Sequence, residues 1–156
     1  MGQKVNPKSI RLNITRTWDS IWYAEKKKYG DFLIEDIKTR ELIKNKIRGN
    51  INLKKVDIGD IKIKRFPNRI TIIIYTSKPG ILIGRKGKDI ENLKMLIEKL
   101  TKKKVTLNIK EIRKPETNPD YIRQEIIRQI EGRIPYKRAI KQAIFNAIKG
   151  GAKGIK

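Results

Sequence analysis

Cysteine and histidine do not occur anywhere in the 156 residues of the sequence. Their joint absence excludes disulfides, zinc and iron–sulfur ligation, thiolate nucleophiles and the commonest general base. Enzymatic chemistry would be left with carboxylates, lysines and hydroxyls, so we expect no enzyme, no cofactor and no metal site. Acidic residues are scarce as well: 16 Asp plus Glu stand against 39 Lys plus Arg, a formal charge of +23. Long apolar runs are missing, since no stretch approaches the roughly 18 residues that a spanning helix requires. With no signal peptide ahead of the first structured segment, a membrane partner is not expected.

What is present is positive charge in excess. Charge this dense repels itself in a compact fold, and a phosphate backbone that releases its condensed counterions on association offsets the repulsion. RNA or DNA is therefore the expected partner class. Apolar residues make up 38% of the chain, enough for one small domain with basic extensions.

Residues 1–30 carry seven Lys or Arg against Asp19 and Glu25, together with both tryptophans, Trp18 and Trp22, and no sustained period. Such a segment can order on RNA through phosphate contacts and stacking. The tryptophans can equally tether the arm to its own domain, and both readings stand at this point. From Asp31, read as an N-cap, to Arg48, the residues Leu33, Ile34, Ile37, Leu42, Ile43 and Ile47 fit a helix closed by Gly49-Asn50. Ile61 and Ile63 alternate with lysines, Phe66 to Arg69 reads as a turn, and Ile70 to Thr76 is rich in β-branched residues, which predicts a hairpin. Val56 and Ile58 fall out of phase, so Gly59-Asp60 marks either a bulge or the strand start.

A short apolar piece, Ile81 to Ile83, leads into Gly84-Arg85-Lys86-Gly87 and a helix striped by Ile90, Leu93, Leu96, Ile97 and Leu100. Val105, Leu107 and Ile109 alternate as a further strand. After the break at Pro115 to Asn118, one helix is capped by Asn118 and ends near Gly132. Another enters at Pro135 and stops at Gly150-Gly151. Gly84 and Gly87 flank two cations at a helix start, where unpaired backbone N–H groups point outward and a phosphate chain can approach closely. Alone, a Gly-x-x-Gly is common in turns. Within the order αββααβ it becomes the signature of the KH domain, whose glycine loop clamps about four nucleotides. The glycine spacing fits neither the dinucleotide fingerprint nor the P-loop.

Four stretches resemble the bacterial-type family of the third protein of the small ribosomal subunit. They are Met1 to Pro7 with Arg11-Leu12, Pro79 to Gly87, Asn108 to Glu116, and Gly151 to Lys156, in that order from end to end. The resemblance implies an α+β fold: a type II KH domain over 31–114, preceded by a basic extension over 1–30. Residues 115–156 would be a helical segment with two C-terminal helices, leading toward a mostly β-sheet domain absent from this sequence. It also implies binding of small-subunit ribosomal RNA in the head, with Lys4, Lys8, Arg11, Gly84, Arg85, Lys86 and Gly87 as candidate RNA-binding residues. Lys137, Arg138 and Lys141 match positions that line the mRNA entry channel in the family, so mRNA and neighbouring head proteins are the further partners implied. On the helix after Pro135 we expect Ile140, Ala143, Ile144 and Ala147 to face the core. The family setting implies a cytoplasmic ribosome, or that of an organelle with its own genome. The competing functions are a free-standing KH chaperone or regulator, separable by sedimentation, and a lysine-dependent nucleic-acid lyase, separable by borohydride trapping.

Overall fold

The computed structural model describes residues 3–49, 56–84 and 87–155, with Arg48 described by its backbone alone. Among them the order is α1 (Pro7–Ile10), β1 (Ser20–Ile21), α2 (Lys26–Gly49), β2 (Ile58–Arg65), β3 (Arg69–Thr76), α3 (Pro79–Ile83), α4 (Lys88–Thr101) and β4 (Lys104–Glu111). A 3-10 turn (Pro115–Thr117), α5 (Pro119–Glu131) and α6 (Tyr136–Lys149) follow. From α2 to β4 this is the expected α+β succession αββααβ, and the two C-terminal helices are present. The strands form one sheet in the order β1-β2-β3-β4. β2 and β3 are antiparallel, while β1 runs parallel to β2 and β4 parallel to β3.

Period-two alternation places Ile61, Ile63, Ile70, Ile72, Ile74 and Val105 on one face, all buried. They pack with Ile43 and Ile47 of α2, Leu82 of α3, and Leu93 and Ile97 of α4 in one core cluster. Helices therefore cover one face of the sheet. The hairpin turn closes where the Phe66 N–H donates to the Arg69 carbonyl at 2.9 Å. The register shifts between Ile58 and Ile61, so the strand starts at Ile58 and carries a bulge at Gly59-Asp60. A Cβ on Gly59 would sit 2.9 Å from Ile112 Cδ1, which keeps that position small.

Three expectations are corrected. Asp31 is not an N-cap: α2 begins at Lys26, and the Glu25 carbonyl accepts the N–H of Lys28 at 2.9 Å and of Tyr29 at 3.0 Å. The helix gains this extra length because Trp22 packs against Tyr29 and Phe32, with ring centroids 5.3 and 5.7 Å apart. The N-terminal segment is also less irregular than its sequence suggests, since Ser20 and Ile21 form a strand against Ile63 and Lys64. On α6 the buried line is Ala139, Ala143 and Ala147, whereas Ile140 and Ile144 are 42% and 37% exposed. Alanines at i, i+4 and i+8 let α6 lie close against α5 and the 3-10 turn, and that contact selects the small face over the bulky one.

Candidate nucleic-acid interface

The glycine loop joins α3 to α4 through two left-handed glycines, Gly84 at φ +75° and Gly87 at φ +77°. Gly84 closes α3 by donating its N–H to the Gly80 carbonyl at 3.2 Å, and the Gly87 N–H donates to the Gly84 carbonyl at 3.3 Å. Gly87 is the N-cap of α4 and offers no side-chain cap, so the first-turn N–H groups are not consumed by a capping side chain. Asp89 and Glu91 stand in that first turn. A Cβ on Gly84 would come 2.1 Å from Asp89 Oδ2 and 2.8 Å from Asp89 Cβ, so the Asp89 side chain fits only against a glycine. An incoming phosphate must therefore share the helix start with a carboxylate. Arg85 and Lys86 lie outside the described residues.

The arm cations divide into two kinds. Lys4 is exposed, and so is Arg11, whose Nη1 donates to the Pro7 carbonyl at 2.6 Å. Lys8 is engaged: its Nζ reaches Asp19 Oδ2 at 2.6 Å and Asp60 Oδ1 at 3.4 Å. Burial works against the charge of Lys8, but the hydrogen bond with Asp19 and the charges of Asp60 and Asp19 outweigh it and hold the ammonium above the usual lysine range.

The tryptophans divide as well. Trp22 donates its Nε1–H to Asp36 Oδ2 at 2.8 Å, whereas Trp18 is 48% exposed. Tyr23, beside Trp22 in the sequence, is the most open aromatic at 90% exposed.

Asp36 is the residue that sequence reasoning missed. It is fully buried, and its Oδ2 also accepts the Ser20 hydroxyl at 2.7 Å. Its Oδ1 takes Arg65 Nε at 2.8 Å and Nη2 at 2.5 Å, while Arg65 Nη1 reaches Glu35 at 2.7 Å. An aspartate amid Glu35, Ile37 and Lys38 carries no signal of burial, because charged residues on a helix normally lie on its solvent face.

On α6, Lys137, Arg138 and Lys141 are all exposed, and their i, i+3 and i+4 spacings place them on one side. They sit opposite the alanine line. At the start of α5, Asn118 Oδ1 accepts the N–H of Asp120 at 2.9 Å and of Tyr121 at 3.3 Å. Arg128 of α5 pairs with the buried Asp57 just before β2. Burial, with the charges of Glu125 and Asp57 nearby, raises the Tyr121 hydroxyl above its ordinary range.

A cleft of about 790 Å³ lies between Lys8 of the arm, Arg40 of α2, Ile61 of β2 and Arg123 of α5. Its carboxylates and cations largely pair with each other. Among the described residues no cluster of three or more acidic groups could hold a metal ion, and no helix is long and apolar enough to cross a membrane.

Comparison with known proteins adds two findings. A family model described as the KH domain matches residues 38–117, which takes in the core face of α2, the hairpin, the glycine loop and β4. Proteins called small ribosomal subunit protein uS3 are similar along the whole chain: 47% identical in Pelagibacter ubique, 44% in Treponema denticola and 44% in Desulforudis audaxviator. In each case all of this chain is aligned, covering 66%, 64% and 69% of the relative, respectively. The chain thus spans just under two thirds of the Pelagibacter and Treponema proteins.

Proposed function

Because this chain belongs to the uS3 family of small ribosomal subunit proteins and carries its KH domain, we propose that it serves as a structural constituent of the small subunit. In this reading it binds small-subunit ribosomal RNA in the head, borders neighbouring head proteins, and lines the path by which mRNA enters. One observation carries the proposal: identity of 44 to 47% with uS3 proteins over every residue of the chain. The charge of +23 supports RNA as the main partner. The exposed cations of α6 support the mRNA role, since they stand free of any described ion pair and can hold a passing phosphate backbone.

Titration of the purified chain against two transcripts of equal length tests this reading, one from the head region of the small-subunit RNA and one from large-subunit RNA. We expect tighter binding to the first, and a loss of affinity on the order of a thousandfold between 50 and 200 mM salt. Equal affinity for both transcripts, or a flat salt profile, would overturn it.

A further inference from the structure

The helices α2, α3 and α4 all pack on one face of the sheet, which leaves the other face to be accounted for. Alternation and register assign its residues. Lys62, Ile73 and Asn108 form one cross-strand row, and Lys64, Thr71 and Thr106 the next. Arg69 stands beside Lys104, and Tyr75 beside Lys110. Of these ten outward positions in β2, β3 and β4 five are cationic and none is acidic. Two carboxylates stand on the same side, Asp60 of β2 and Asp19 just before β1, and both are taken by Lys8.

The face is open to solvent. Lys104, Thr106, Asn108 and Lys110 are exposed, while Thr71, Ile73 and Tyr75 are half-buried. α5 meets the sheet at the start of β2, where Gln124 Nε2 donates to the Ile58 carbonyl at 2.6 Å. Lys62 is partly committed, with its ammonium 5.8 Å from the Tyr75 ring centroid and 3.4 Å from the Thr17 hydroxyl. The other four cations of the face have no described ion pair, though the Arg69 guanidinium lies over the Phe66 ring, 4.9 Å from its centroid.

A sheet face that only met water would carry both signs of charge, because opposite charges across strands stabilise each other and like charges do not. Here lysines ring a centre of Ile73, Tyr75 and neutral hydrogen-bonding groups. Threonine and asparagine side chains bond phosphate and sugar oxygens without reading a base, and lysines supply the charge. We infer that the outer face of the β2-β3-β4 sheet is a second RNA-binding surface, separate from the glycine loop, which takes the sugar-phosphate backbone of a ribosomal RNA segment through Lys64, Arg69, Lys104 and Lys110. This rests on the chain being an RNA-binding constituent of the small subunit, as proposed above. It adds the place where a large share of the phosphate contacts is made.

The test compares two triple variants of the full chain that remove the same charge. The first is Lys64→Gln, Lys104→Gln and Lys110→Gln on the outer face. The second is Lys38→Gln, Lys94→Gln and Lys99→Gln, exposed positions on the helical face opposite. Binding of the small-subunit head transcript is measured from 50 to 200 mM salt, with circular dichroism confirming the fold of each variant. Lysine acetylation of the wild-type chain with and without RNA, read by mass spectrometry, supplies a measurement that needs no substitution.

The outer-face variant should lose about tenfold or more in affinity at the lower salt, and its log–log salt slope should fall in magnitude by about 2, three contacts at about 0.7 each. The helical-face variant should stay near wild type. RNA should shield Lys64, Lys104 and Lys110 from acetylation. Equal losses in the two variants, or no shielding of those lysines, would overturn the inference while leaving RNA binding by the chain intact. Failure of the wild-type chain to bind would instead defeat the reading on which the inference rests.

Discussion

At Asp36 two kinds of donor meet on one buried carboxylate. Ser20 and Trp22 come from the N-terminal segment, and Arg65 comes from the end of β2. The arm is fixed to the domain at this point because the half-buried Ser20 and Trp22 share one buried acceptor with Arg65. Arg65 has a side chain only 4% exposed, so removing Asp36 leaves its charge with Glu35 alone. Asp36→Ala should therefore destabilise the chain by about 3 kcal/mol, the lower end for a broken buried pair. It should also release Trp22 to solvent, seen as a red shift in tryptophan emission that precedes global unfolding. Asp36→Asn keeps an acceptor for Ser20 and Trp22 and should lose less. Unchanged emission and an unchanged denaturant midpoint in the alanine variant would show that the arm is held elsewhere.

At the scale of elements, the readable features were those governed by local pattern. The hairpin, the Asn118 cap, the two glycines at α4 and the ends of α5 and α6 all follow from period, capping and turn residues. What could not be read depends on partners distant in sequence. β1 is two residues long and exists only because Ile63 and Lys64 lie beside it. The first half of α2 turns Asp36 and Thr39 inward and leaves Leu33, Ile34 and Ile37 exposed, an inversion that goes with the bonds Ser20, Trp22 and Arg65 make to Asp36. On α6 the expected Ala143 and Ala147 are buried, while Ala139 rather than Ile140 and Ile144 completes the line, for a related reason. Hydrophobicity favoured isoleucine, but closeness to α5 favoured alanine. Of the candidate site, the glycines were legible and the load on Lys8 was not, because Asp19 and Asp60 reach it through the fold.

The exposed set on α6 gives an element-scale prediction. Replacing Lys137, Arg138 and Lys141 together by alanine should leave stability within about 0.5 kcal/mol per site, since surface substitutions cost little and alanine suits a helix. Uptake into small subunits should continue. Reconstituted ribosomes carrying the triple variant should elongate normally on unstructured messages and more slowly on messages with a stable downstream hairpin. Equal rates on both would make these cations an ordinary solvated face.

Over the whole molecule, the excess of positive charge is spread over several surfaces. The arm keeps Lys4 and Arg11 open, α6 carries its own group, and the outer sheet face holds five cations, its one strand acid Asp60 being taken by Lys8. Some carboxylates pair with the chain's own cations: Asp36 and Asp57 are buried against arginines, and the partly exposed Asp19 and Asp60 bind Lys8. Cations on the arm, on α6 and on the outer sheet face offer a polyanion more than one place of contact. A regulator that binds one short strand would need a single groove. The most direct measurement is sedimentation of an epitope-tagged chain expressed in cells through a density gradient after a moderate-salt wash, with copies per particle counted by quantitative mass spectrometry. The chain should migrate with small subunits at close to one copy per particle. Recovery at the top of the gradient, or loss of the chain from subunits during the wash, would contradict it.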